Sequence, residues 1–281
     1  MSYKQHSITI QFTLSDDDTF DGESNVLTIK NARCHVSFQS VTGLSGINVN
    51  LSLWGLKKEY LSQLGCMGMV AVAAKRYKIK IWADDNLFFE GVIATAYADF
   101  ARMPDVPLVI TANPVFSIQV KNVQGISAPG SQKAEDLLKA ICNACGLSFD
   151  SYGEIEPINN PHYTGDAISC IQQIVKTVDA VCEITSTTLT VWSRGHPRGN
   201  AVLDISPQTG MLGYPTWAPV GLLVTTIYTP LAIPGSLARI TTDMPNASGD
   251  YVIIGVDNIL SSELPGGVWQ TTMNVIPFIK K

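Results

Sequence analysis

The chain has 281 residues, enough to bury a substantial core distributed over one to three domains. Hydrophobic residues make up 46% and charged residues only 15%, a balance that leaves much surface free to face other protein. Nineteen basic against twenty-four acidic residues give a formal net charge of -5, which argues against non-specific binding to nucleic-acid phosphates.

Met1 to Thr13 alternates polar and apolar residues and lacks the basic-then-apolar order of a secretory signal. Apolar runs elsewhere are broken before they reach transmembrane length. Synthesis in a cytoplasm is therefore expected, with the six cysteines as thiols rather than a disulfide framework. On that reading the Asn246-Ala-Ser248 sequon carries little weight.

From Ser7 to about Asn113 the pattern is that of strands. Alternation over His6–Phe12, Val26–Ile29, Asn48–Trp54 and Tyr77–Trp82 implies one face against a core and one facing something wetter. In the last of these, Ile79 and Ile81 share a face opposite Lys78 and Lys80. Ala83-Asp-Asp-Asn86 reads as a turn into Leu87–Ile93, which completes a hairpin. Lys57–Leu64 predicts a short helix carrying Leu61 and Leu64, too brief to stand without tertiary contacts. A small closed or nearly closed sheet would bury these short strands economically.

The period changes after Pro129-Gly-Ser131. Ala134, Leu137, Leu138, Ile141 and Cys145 recur at three- and four-residue steps, with Ser131 as the expected cap and Gly146 as the stop. A second helix is predicted over Asp166–Val178, with Ile171, Ile174, Val175 and Val178 on one stripe. Val181–Ile184 and Leu189–Trp192 then form a hairpin. Strands return after Gly199 at Leu222–Tyr228, Leu237–Thr241, Tyr251–Val256 and Val268–Ile276, punctuated by Gly235, Gly249 and Gly266-Gly267. Pro230 and Pro234 bracket a tight connection. No fixed-period repeat is visible.

No catalytic, cofactor-binding or metal-binding set assembles from the chemistry-bearing residues. Cys142-Asn-Ala-Cys145 has redox or zinc-like spacing, but it lies at the C-terminal end of a helix. There the amides that lower a thiol pKa are absent, and no second ligand pair has zinc spacing. Helix-core packing is the preferred reading. His6, His35, His162 and His196 are scattered, without an H-E-x-x-H motif. Asp16-Asp-Asp-Thr-Phe-Asp-Gly22 lacks the ligand alternation of an EF-hand, and Gly43-Leu-Ser-Gly46 lacks the last glycine of a nucleophile elbow. Glu154 and Glu156 are too close in sequence to establish a glycosidase pair. Trp54, Trp82, Trp192, Trp217 and Trp269 lack an interleaved basic patch, so core and protein-interface roles are preferred over base stacking.

The order of the pieces carries more than any motif. Leu53–Leu64 is followed by the hairpin Ile79–Ile93, then Ile126–Leu138, the second helix and hairpin, and Gly213–Trp217 leading into Gly221–Tyr228. Over almost its whole length this chain resembles the baseplate hub proteins of contractile-tailed bacteriophages. The resemblance implies a mainly β fold with an α+β insert. Two small β-barrel domains, 1–115 and 199–281, would flank a helix-hairpin domain, 116–198. It further implies a homotrimeric ring that adapts the six-fold tail tube to the three-fold central spike, each subunit contributing two tube-like domains. The implied partners are the tail tube protein, the central spike protein and other baseplate proteins. DNA would pass through the ring without stable binding, there would be no cofactor, and the location would be the baseplate of the virion tail. The alternatives are another tube-end adaptor, a carbohydrate-binding module with an exposed aromatic cleft, and a peptidoglycan hydrolase.

Overall fold

The computed structural model describes residues 5–43, 47–67, 77–114, 123, 125–194, 196–199 and 201–278. The chain divides into two compact units, the first made of Met1–Gln39, Asn48–Phe116 and Asn258–Gln270 and the second of Ser40–Ile47, Ser117–Asp257 and Thr271–Lys281.

In the first unit the expected strands appear as β1 (Ile8–Thr13), β2 (Val26–Ile29) and β4 (Ile47–Leu53), with β3 (Cys34–Val41) between the last two. Helix α1 (Lys58–Leu64) follows, then β5 (Cys66–Met67), β6 (Lys78–Ala83), β7 (Asn86–Ala98) and β8 (Leu108–Asn113). The ladder runs β4-β8-β7-β6-β1-β2. Register places Ile10 opposite Ile81 and Phe12 opposite Ile79, and all four side chains are wholly buried. Each such burial contributes about 1.5–3 kcal/mol. On the other face Lys80 pairs with Glu90 at 3.1 Å. The β6–β7 turn holds Asp84 at φ +52°, a conformation Asp tolerates better than most residues. Its carboxylate accepts from the Ser7 amide at 3.0 Å.

The second unit contains α2 (Ala134–Cys145) and α3 (Ala167–Thr177). Around them lie the short strands β9 (Ile126–Ser127), β10 (Ser131–Gln132), β11 (Ser148–Tyr152), β12 (Ile158–Asn159) and β13 (His162–Tyr163). The predicted hairpin is β14 (Ala180–Ile184) with β15 (Thr188–Ser193), and β11 joins it parallel to β15. Gly146 ends α2 in the left-handed region at φ +72°, as expected. Ser131 does not cap it: Ser131 pairs with Asn159 in β10–β12, and Lys133 occupies the cap position without a side-chain bond. The C-terminal strands are β16 (Val202–Ile205), β17 (Thr216–Ala218), β18 (Gly221–Ile227), β19 (Leu237–Ile240), β20 (Gly249–Ser262) and β21 (Trp269–Pro277). Leu222, Val224, Ile240, Ile253, Met273 and Val275 form the centre of their core.

The mainly β fold with an α+β insert is present, but the two closed barrels are not. Among the described residues no sheet closes on itself. β2 pairs only β1, β17 pairs only β18, and β16 pairs only β19, so each ladder ends in an open edge. Closure demands a consistent stagger around the ring. Alternation encodes which face is buried and carries no information about that stagger.

Asp166 caps α3, its carboxylate accepting from the Ser169 amide at 2.7 Å. The Ser169 hydrogen bonds hold the Asp166 pKa below its ordinary 3.8. A lowered folded-state pKa contributes stability above pH 3.8 that is lost as pH falls through the folded value. Asp166→Ala should cost about 0.5–2 kcal/mol at pH 7. In urea melts against the parent chain, the gap should narrow below pH 4.

Candidate assembly surface

The insert of the second unit contains a buried ion pair, and hydrogen bonds around that pair tie the insert to neighbouring segments. Glu183, on β14, is almost fully buried, and its Oε2 accepts a short charge-assisted bond from Arg198 Nη1. Ser40 Oγ donates to Glu183 Oε1 at 2.9 Å, and Arg198 Nη2 donates to Thr190 Oγ1 at 3.2 Å. Backbone bonds extend the joint. The Gly43 amide reaches the Cys182 carbonyl at 2.8 Å, the Arg198 amide reaches Gly235 at 2.7 Å, and the Gly235 amide reaches Ile253 at 2.7 Å. Gly235 has φ +87°, and a Cβ there would stand 3.0 Å from the Trp192 indole and 3.0 Å from the Arg198 Cβ. The sequence reading placed Glu183 in a hairpin without assigning its side chain a face. The buried pair had no signal in the sequence beyond an arginine fifteen residues further on.

A different kind of surface lies between residues 212 and 233. β18 alternates, with Leu222, Val224 and Thr226 inward and Leu223 and Ile227 exposed. The Leu212 amide donates to the Thr225 carbonyl at 2.8 Å, which continues the pairing beyond the short edge strand β17. Thr225 and Thr272 hydroxyls meet at 3.1 Å on the outer face. Around this face Tyr214 is 71% exposed, Leu231 70% and Val220 63%, with Trp217 half exposed at the edge strand. Apolar exposure concentrated in one short stretch, with two aromatics, makes it a candidate assembly surface. The sequence reading identified the β18 strand but not its outward apolar residues, because an apolar run does not tell which side chains face outward.

The residues singled out for chemistry do not converge. Among the described residues there is no group of three or more His, Cys, Asp or Glu side chains placed to hold a metal. Cys142 and Cys145 are both buried on the α2 stripe beside Leu138 and Ile141. His6 meets Asp84 at 3.0 Å and stacks on Trp269, and His35 meets Ser261 Oγ at 2.9 Å. His162 and His196 are exposed. In the acidic loop, Asp18 accepts from Ser15 and Tyr77 at 2.8 and 2.7 Å, and Asp21 accepts from Tyr60. Those carboxylates hold the loop to neighbouring hydroxyls. Glu154 and Glu156 are exposed, and Leu44-Ser-Gly46 lies outside the described residues. Trp192 is buried, Trp54 and Trp82 are half-buried, and the Arg33 guanidinium sits 5.7 Å over Trp54. No helix among the described residues is long and apolar enough to cross a membrane.

This architecture is shared with tail proteins. A tail protein from Neisseria meningitidis MC58 superposes with a TM-score of 0.66 at 9% identity, over 98% of this chain and 97% of that one. The 43 kDa tail protein of prophage MuSo2 from Shewanella oneidensis gives 0.63 at 7% identity, over 96% and 97%. A component of the E. coli type VI secretion system gives 0.63 at 10% identity, over 96% of this chain and 77% of its own. Identities this low establish the fold alone. No curated protein matches the sequence. The family model described as baseplate hub gp41 matches residues 51–263, and the chain belongs to that family. It is therefore a structural component of a phage tail baseplate, and its work is assembly rather than catalysis.

Two outcomes follow from the buried groups. Burial pushes the Cys142 thiol up to about 12, with Cys145 adding a smaller upward push. Iodoacetamide at pH 8 should leave Cys142 unmodified in the native protein and alkylate it rapidly in denaturant. A raised folded-state pKa stabilises fully below about pH 9, and that contribution is lost as pH climbs toward 12. Arg198→Ala strands a buried carboxylate and should lower stability by about 3–5 kcal/mol. A Glu183→Met/Arg198→Met double variant should lose far less, so urea melts of the two variants separate stranded charge from lost packing.

Proposed function

We propose that three copies of this chain form the baseplate hub, a ring joining the end of a six-fold tail tube to a three-fold central spike. The observation that carries the reading is the baseplate hub family match over most of the chain, joined to the exposed apolar stretch between Leu212 and Ile233. A closed ring hides such patches on neighbouring subunits and prevents open-ended association. Each subunit brings strand-rich regions at residues 1–115 and 199–281 to face the tube. The helix-hairpin region, 116–198, braces them. The E. coli structure is described as similar to T4 bacteriophage tail proteins gp27 and gp5, which agrees with a place in the tail.

In this arrangement the partners are the tube protein, the spike protein and other baseplate proteins. The chain is made in the host cytoplasm and built into the virion tail. A formal charge of -5 gives passing DNA no general phosphate-binding surface. A tube-end adaptor of different stoichiometry is the second reading, favoured by the same apolar edge without requiring three-fold contacts.

Reconstruction of the assembled tail should place three copies between tube and spike. A six-copy ring or a peripheral position overturns the hub reading. In the same system Trp217→Ala combined with Leu231→Asp should leave the circular dichroism spectrum unchanged and reduce incorporation into particles at least tenfold. Full incorporation removes the stretch 212–233 from the interface.

A further inference from the structure

The second unit holds a cavity of about 330 Å³ that the ring reading leaves unused. Trp192 and Ile253, both buried, contribute to its lining, together with Val181, Ile276 and Phe278. That volume falls within the range of sites that enclose an organic group, and flat aromatic and branched aliphatic walls suit an aromatic ring. The charged or titratable groups on the lining are Arg194 and His196, both exposed, and no carboxylate lines the cavity among the described residues.

Arg194 is available to a ligand despite its neighbour. Its Nε donates to Asp179 Oδ1 at 2.8 Å, but both side chains are more than 60% exposed, and exposed pairs of this kind are weak. The contact uses Nε alone, and the remaining guanidinium donors have the fork geometry that a carboxylate accepts. An apolar recess with a basic rim complements an apolar group that carries an anion beside it.

We propose that this cavity is a socket for a segment of a partner protein, which inserts an aromatic side chain and sets an adjacent carboxylate on Arg194. The aromatic-acid chemistry follows from the lining; its presentation on a protein segment rests on the assembly reading, since a baseplate component meets other proteins. The lining comes from the β14–β15 hairpin and its C-terminal extension and from β20 and β21, so an occupied socket would clamp the insert to the strands beside it.

The test uses the purified full chain and two peptides, acetyl-Gly-(4-fluoro-Phe)-Asp-Gly-amide and its Asn counterpart, with 3-(4-fluorophenyl)propionate as the small-molecule probe, followed by fluorine NMR. The Asp peptide should bind saturably and at least threefold more tightly than the Asn peptide. Arg194→Ala should erase that difference, and Val181→Trp, which fills the cavity, should abolish binding. Ile276→Trp at a half-buried position repeats the block if Val181→Trp does not fold. Absence of peptide binding, equal binding of the two peptides, or binding unaffected by a filled cavity overturns the proposal. Binding of the propionate without the peptide would make this a small-molecule site and overturn the partner assignment. The measurement is made on the isolated chain, so a negative result leaves the three-copy ring standing, and a failed ring leaves the chemistry of the socket intact.

Discussion

Glu183 is a carboxylate with almost no water, and the second unit is arranged around keeping it paired. Removing an ion from water costs several kcal/mol, and the cost is recovered only when a counter-ion and hydrogen bonds replace the lost hydration. Arg198 supplies the charge, Ser40 supplies a donor, and Thr190 occupies another guanidinium nitrogen. Glu183 and Thr190 face each other across the β14–β15 hairpin, Arg198 follows shortly after it, and Ser40 comes from a segment far away in sequence. Each must arrive in register before the charge is satisfied, so the pair specifies one arrangement of hairpin and neighbouring strands more than it adds to overall stability. The backbone bonds from Gly43 to Cys182 and from Arg198 through Gly235 to Ile253 are made only in that arrangement.

How much of this was readable depends on range. β1, β2, β4, β6, α1, α2, α3 and the β14–β15 hairpin all stood where local periodicity put them, because burial on one face leaves a local trace. Gly146 was legible as a stop for the same reason: its backbone conformation is a property of one residue. Ser131 was misread because its hydroxyl competes for capping only if the chain is free, and here the backbone is engaged with Asn159. The brief strands β9, β10, β12 and β13 left no pattern at two residues each. Openness of the sheets was illegible, since closure is a relation among all strands at once.

The surface stretch between residues 212 and 233 shows the same limit from the other side. Leu223 and Ile227 read as core residues in any local window, and only the pairing of β18 with its neighbours shows that they face outward. In a chain whose chemistry-bearing side chains are engaged in packing, turns and ion pairs, such outward apolar residues are the ones the proposed assembly role would use. That agrees with a family defined by assembly, in which the active parts are faces.

Gly235 carries one more implication. The Trp192 ring and the stem of Arg198 close in on the missing side chain at 235, so a methyl group there would push both back by a few tenths of an ångström at a φ that already disfavours it. These three positions are therefore one inheritable unit rather than three. Enlarging residue 235 presses on the ring at 192 and on the stem of the arginine that pairs with Glu183. Enlargement at this joint calls for coordinated changes, a constraint that the exposed edge at Trp217 does not carry.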